Sequence, residues 1–347
     1  QTDNADLYKI YWEDTKMEFS ATAGTAGGSL KALFEVRDGD NLENFKGKVT
    51  KADSYSLTVE NISIDNIKSL NLPDKDGKIT VNNISYSYDS WEAQVDAQGN
   101  IKSVTFNLSK DKAIADPEKT VAEGYLLNAG SAINARGIPY YMTQLNEFVR
   151  NFSEMFNQIE SKGQNLNGDT PPTFFEAITN TAKVYDFSES EAYSKLPDGQ
   201  TATINSSSNT YYRMTAANFS VNKDVMNDVS LFATATDYVK TDSCDIVDEL
   251  KKLQSEKTVY RGDKAESFLE TIISNVSVDT EKAETYNKLY SNLEQTIANQ
   301  RTSVSGVDED EEALNLVKFQ YSYNMASKII SVMNQMLDKL INDTGVA

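Results

Sequence analysis

Residues 316–340 read LVKFQYSYNMASKIISVMNQMLDKL, and within them Leu316, Phe319, Tyr323, Ala326, Ile330, Met333, Leu337 and Leu340 recur at alternating steps of three and four. Eight apolar positions in that rhythm make the a/d seam of a left-handed coiled coil, which asks for a partner helix along its whole length. Fully burying a large apolar side chain is worth about 1.5 to 3 kcal/mol, so a seam of this length facing water carries a penalty on the order of ten kcal/mol. Cover for it has to come from earlier in the chain, from residues absent here, or from another subunit. Just upstream, Asp308, Asp310, Glu311 and Glu312 crowd the first turn, where negative charge favours the helix dipole, and Asp308 with Glu311 has capping-box spacing.

Working back from that helix, the chain from Asp245 onward reads as helical in three or four pieces: Asp245 to Gln254; Asp263 to Val276, with Phe268, Leu269, Ile272 and Ile273 inward; and a third behind Asp279 as N-cap, carrying Tyr286, Leu289, Leu293 and Ile297. From about Val184 to Phe232 the chain is richer in Ser, Asn and Thr, and pieces such as Tyr211-Tyr212-Arg213-Met214-Thr215 read as short strands. Between Pro139, a good first-turn residue, and Gly163, a natural terminator, Tyr141, Leu145, Phe148, Phe152, Met155 and Ile159 mark a packed helix of about six turns.

Ahead of it the period changes from helical to two. Tyr55, Leu57 and Val59 alternate with polar residues, as do Val104, Phe106 and Leu108, and turn signals fall at Pro73–Gly77 and Asp96–Asn100. This predicts an antiparallel β module. Asp74-Lys75-Asp76-Gly77 looks like the start of a calcium loop, but the twelfth position falls on Ser85, where a bidentate Glu is needed, so a hairpin turn is the better reading. Ser29 to Arg37 (SLKALFEVR), with Ser29 as N-cap, reads as a short helix.

Composition narrows the function. Fifty-two acidic against 33 basic residues give a formal charge of −19, and no basic cluster interrupts it, which disfavours nucleic acid and anionic membrane surfaces as partners. Cys244 is the single cysteine, so neither an intramolecular disulfide nor a cysteine metal site is available. Histidine is absent altogether, which removes Ser-His-Asp, Cys-His and HExxH chemistry. No enzyme, cofactor or metal is implied. A different class of function, a glycan- or ligand-binding surface on the β module, would rest on Trp91, Tyr86 and Tyr88, although aromatics on strands more often fill a core.

Several stretches carry a family resemblance. Asn299–Val307 (NQRTSVSGV), followed by Asp310-Glu311-Glu312, Asn315-Leu316, Phe319-Gln320, Tyr323, Ala326, Ile329-Ile330 and Met336-Leu337, resembles the C-terminal end of the flagellar hook-associated protein 1 family, in a motif series that hook and rod proteins share more loosely. Gly28–Leu33 (GSLKAL) with Val36-Arg37-Asp38-Gly39, Gly137–Tyr141 (GIPYY) with Gln144–Glu147 (QLNE), and Asn165–Gly168 (NLNG) with Thr173-Phe174-Phe175 are similar to the same family in the same order. Glu309 departs from it, standing where an apolar residue is expected. So does the start of the chain, since the family has a long portion ahead of GSLKAL, including a helix that pairs with the C-terminal one.

The resemblance implies an α+β multidomain fold: an elongated, coiled-coil-like helical bundle with an inserted antiparallel β domain. On this reading residues 1–40 begin the helical core, 41–123 are the inserted β domain, 124–182 continue the core, 183–240 hold short strands and loops, 241–307 return to helix, and 308–347 are the coiled-coil-type helix. It implies a structural subunit of the bacterial flagellum at the hook-filament junction, outside the cell after export by the flagellar type III system. The implied partners are copies of itself in a ring, hook protein, the second junction protein (hook-associated protein 3), and an export chaperone on the C-terminal helix. Another axial protein (the second junction protein, hook or rod) is the near alternative. The seam residues Leu316 to Leu340 are the expected assembly and chaperone surface, since helix-in-groove recognition needs such a stripe.

Overall fold

The computed structural model describes residues 13–15, 27–74, 77–110, 113–114, 117, 124–130, 132–179, 181–239, 243–256 and 258–343. The fold is α+β, with an antiparallel barrel-like sheet and a long C-terminal helix. Contacts divide the chain into two compact units, residues 1–272 and 273–347.

The period-two stretch folds as expected. Strands β1 (Phe45–Asp53), β2 (Ser56–Glu60), β3 (Gly77–Val81), β4 (Ile84–Val95), β5 (Ile101–Leu108) and β6 (Leu126–Ala129) pair in the order β3-β6-β1-β2-β5-β4, and β3 pairs with β4 to close the ring. Closure removes the free edges that an open sheet would expose. Leu57, Val59, Val104, Phe106, Tyr88 and Trp91 are fully buried inside. On β4 the inward set changes parity, from Tyr86 and Tyr88 to Trp91, Ala93 and Val95. A register shift between Tyr88 and Ser90 re-phases the strand, as a bulge does, so that all five residues face the core. Beyond the bulge β4 takes a further strand from far along the chain, β8 (Ala202–Asn205), which no local pattern announces.

The turn signal at Asp96–Asn100 holds local structure. Asp96 Oδ1 accepts from the backbone N–H of Gln98 at 3.0 Å and of Asn100 at 2.8 Å, with Gly99 at φ +78°. At the other turn, Lys75 and Asp76 lie outside the described residues. Gly77 there is explained by packing: the Tyr88 ring lies so close that any Cβ would strike it.

The chain enters and leaves the barrel through a paired stem. Gly137 N–H donates to Gly39 O at 3.0 Å, Asn41 N–H to Ala135 O at 2.9 Å, and Asp40 Oδ1 accepts from the N–H of Ile133 at 3.0 Å. A Cβ on Gly137 would lie 2.7 Å from Gly39 N, so this approach requires glycine. On either side of the stem stand α1 (Gly28–Asp38) and α2 (Ile138–Glu160). In α1 the cap position falls on Gly27 and Ser29 lies inside the first turn, which corrects the N-cap expectation. Leu30, Leu33 and Val36 on α1 are exposed.

Helix α2 is the hub of the first unit. Its apolar face, with Phe148, Phe152, Met155 and Ile159, packs on Ile246 and Leu253 of α5 (Asp245–Ser255) and on Ala265, and Phe148 stacks on Phe268 at 5.2 Å. The opposite, polar face is buried too. Arg150, 2% exposed, donates to the carbonyls of Met214 (2.9 Å), Lys68 (2.8 Å) and Leu70 (2.7 Å), tying the helix to turns from two distant segments.

Between residues 184 and 232 the chain carries α3 (Ser188–Ser194), β8, β9 (Phe219–Val221), which pairs with β7 (Phe175–Ala177), and α4 (Lys223–Asn227). Tyr211–Arg213 is a 3-10 turn where a strand was expected. It buries Tyr211 and Tyr212, whose hydroxyl donates to Leu72 O at 2.8 Å. A hairpin of β10 (Thr258–Tyr260) and β11 (Asp263–Lys264) leads into α6 (Ala265–Ser305), one helix of 41 residues where two were expected. On either side of Asp279, the residue read as a cap, side chains bond backwards along the helix: Ser277 Oγ donates to Ile273 O and Thr280 Oγ1 to Val276 O, both at 2.8 Å. Their side chains thereby take the same helical carbonyls as the backbone and do not compete with the helix. Asp279 is therefore an interior residue and not a cap. The chain ends in α7 (Glu309–Asp343).

Candidate assembly surface

The first turn of α7 is fixed by Asp308, whose Oδ1 accepts from the N–H of Asp310 at 2.9 Å and of Glu311 at 3.4 Å. Four acidic residues, Glu309 to Glu312, follow at the positive end of the dipole. From that start the helix runs 35 residues, about 52 Å at 1.5 Å per residue.

Every seam position lies on this one helix, and every one is exposed, from 49% at Leu337 to 74% at Phe319. Nothing else in the described chain covers them. Across residues 273–343 no residue is buried, and only Asn275, Asp279 and Asn315 are even half-buried.

A second apolar row, missed in the sequence reading, runs beside the first. Met325, Ile329, Val332 and Met336 recur at steps of four, three and four, and all are exposed. In the heptad that puts the seam at a and d, these fall at c and g, next to the d positions around the helix. Together with Met333 and Lys328 they line an apolar groove of about 480 Å³. The same heptad count would have revealed the row in the sequence, had a second seam been looked for. The unit also carries exposed Tyr286, Leu289, Leu293 and Ile297 on α6, the stripe expected there.

This surface suits association better than chemistry. It is a long, regular, water-facing apolar face on a rigid element, and apolar patches of this size mark interaction sites. No helix of the described chain is long and apolar enough to cross a membrane. The aromatics that a ligand surface on the β module would need are elsewhere: Trp91 and Tyr88 are fully buried and Tyr86 is 4% exposed, which overturns that use of them.

The family described as "Flagellar basal body rod FlgEFG protein C-terminal" matches residues 298–343, the end of α6 and all of α7. The flagellar hook-associated protein 1 of Bacillus subtilis (strain 168) is 21% identical over 341 residues, covering 96% of this chain and 56% of that protein. The chain thus spans about half the length of the curated relative it matches. Both similarities support a structural protein of the flagellar axis, and the second points to the hook-associated kind.

Proposed function

We propose that this chain is a subunit of the hook-filament junction and that it assembles through the apolar seam of α7. The observation that carries the reading is the coincidence of two facts: α7, a long helix left bare, also makes up most of the segment similar to the rod proteins. Similarity over 96% of the chain to a hook-associated protein 1 favours the junction among axial positions. In the assembled flagellum the seam would pair with helices of its own or neighbouring subunits, in a ring between hook protein and the second junction protein. Before export, a chaperone would cover the same residues as a helix held in its groove. A type III export route and a place outside the cell follow from that role.

A rod or hook subunit is the second reading, because the matching C-terminal family is named for rod proteins. Labelling the protein in isolated hook-basal bodies and in hooks carrying filament stubs separates the two. The junction reading expects label at the distal end of the hook. For the seam itself, Ile330→Asp combined with Leu337→Asp should abolish chaperone capture and motility, and unchanged values for both would sink the role of these positions.

A further inference from the structure

In the first unit, a cavity of about 340 Å³ lies between α2, α3 and the segment that leads into β7. Glu176, the middle residue of β7, lines it and is 5% exposed. Its backbone is in register with Ser220 of β9, but its carboxylate has no hydrogen bond or ion pair among the described residues. Burial and then the nearby Asp224 push its pKa up, with Lys223 pulling weakly the other way. A largely buried carboxylate with no donor bonded to it is normally matched in folded proteins by a ligand or water.

The hydroxyls and amides of the lining, among them Thr173, Ser188, Ser190 and Asn222, leave Glu176 unbonded. Glu191, 3.8 Å from Lys195, and Asp186, which accepts from the N–H and hydroxyl of Ser188, add two further carboxylates, and Tyr185, Phe187 and Tyr211 add aromatic rings, while no Lys or Arg lines the cavity. Glu154 is also in the wall, but it is already held by Lys68. The amide of Asn157 is fully engaged: Nδ2 donates to Phe175 O and to the Tyr211 hydroxyl, and Oδ1 accepts from Phe175 N–H, all at 2.9 Å. Arg213, which does not line the cavity, places its guanidinium 4.1 Å from the centre of the Tyr185 ring.

We infer that this cavity binds an organic cation, an alkylammonium or guanidinium group, with the Glu176 carboxylate as its counter-ion and the aromatic walls around its stem. Side-chain size suits the volume, and a donor-rich cation satisfies both the orphan carboxylate and the rings. The source is either a free amine or a Lys or Arg side chain of a neighbouring chain.

The test is calorimetric titration of the whole chain at low salt with putrescine, with N-acetyl-arginine amide, and with neutral N-acetyl-norleucine amide. Binding of either cation, weakened about tenfold by Glu176→Gln and severalfold by Glu191→Gln at the rim, is the expected result. Preference for putrescine points to a free amine, and preference for the capped arginine to a protein side chain. Glu176→Gln keeps the shape and removes a buried charge, so thermal melting should show it folded. Should it fail to fold, Glu191→Gln and the neutral compound still decide the matter. Absence of binding by both cations, equal binding of the neutral compound, or cation binding indifferent to both substitutions would overturn the inference.

Discussion

The barrel and the C-terminal arm use apolar residues at similar density and treat them in opposite ways. In the barrel, Phe106, Leu57 and Trp91 are fully buried, and a closed ring of strands leaves no edge. Along 273–343 the same kinds of residue, Phe319, Leu316 and Ile330, stand in water. A single chain can close a sheet on itself with local hairpins, but a heptad seam is satisfied only by another helix. The barrel is therefore complete alone, and the arm is built for company.

The comparison breaks most visibly if the barrel is hollowed. Phe106 packs edge-on against Phe45 at 5.5 Å and against Tyr88 at 5.0 Å. Phe106→Ala should lower stability by about 3 to 5 kcal/mol in a denaturant titration, the loss typical of an emptied core site.

A somewhat smaller effect is expected at the C-terminal end of α2. Glu160 is 1% exposed with no cation paired to it among the described residues, and burial raises its pKa to about 7 against a weak opposing pull from the backbone of Ala233. The unfolded chain ionises this group near its ordinary value of 4.5, while the fold keeps it neutral up to about 7. Its contribution is thus whole below pH 4.5 and is lost as pH rises from there to about 7, a change on the order of 3 kcal/mol. Glu160→Gln should flatten that part of the stability-pH profile, as chemical unfolding at several pH values would reveal.

Smallest of all should be the effect of charging the seam. Ile330→Asp and Leu337→Asp each remove an exposed side chain from the isolated chain, so unfolding of the first unit should shift by less than about 0.5 kcal/mol. Loss of assembly without loss of stability would sharpen the contrast between the two regions.

What the sequence revealed follows the same division. The β alternation and the seam are local periods, so both could be read directly from Leu57, Val59, Val104, Phe106 and from Leu316 to Leu340. The bulge at Tyr88–Ser90 and the strand at 202–205 depend on pairing across distance, which leaves no local trace. Helix α2 was half legible. Its Phe and Met stripe reads as core, but Arg150, Glu154 and Asn157 read as a solvated face, and only the carbonyls of Lys68, Leu70 and Met214 turn that face inward. Asp279 suggested a break because such residues favour caps, yet it lies inside one long helix, in which the neighbouring Ser277 and Thr280 bond to carbonyls one turn back. The exposed state of the seam could not be read at all, since a stripe looks the same whether or not something covers it.

The central claim is that α7 acquires its cover only on assembly. Amide hydrogen exchange across 309–343, compared between the isolated chain and the same protein in assembled flagellar structures, tests this directly. The account predicts rapid exchange in the free chain, where an uncovered helix frays readily, and strong protection after assembly, centred on Tyr323 to Leu337. Equal exchange in the two states would contradict it.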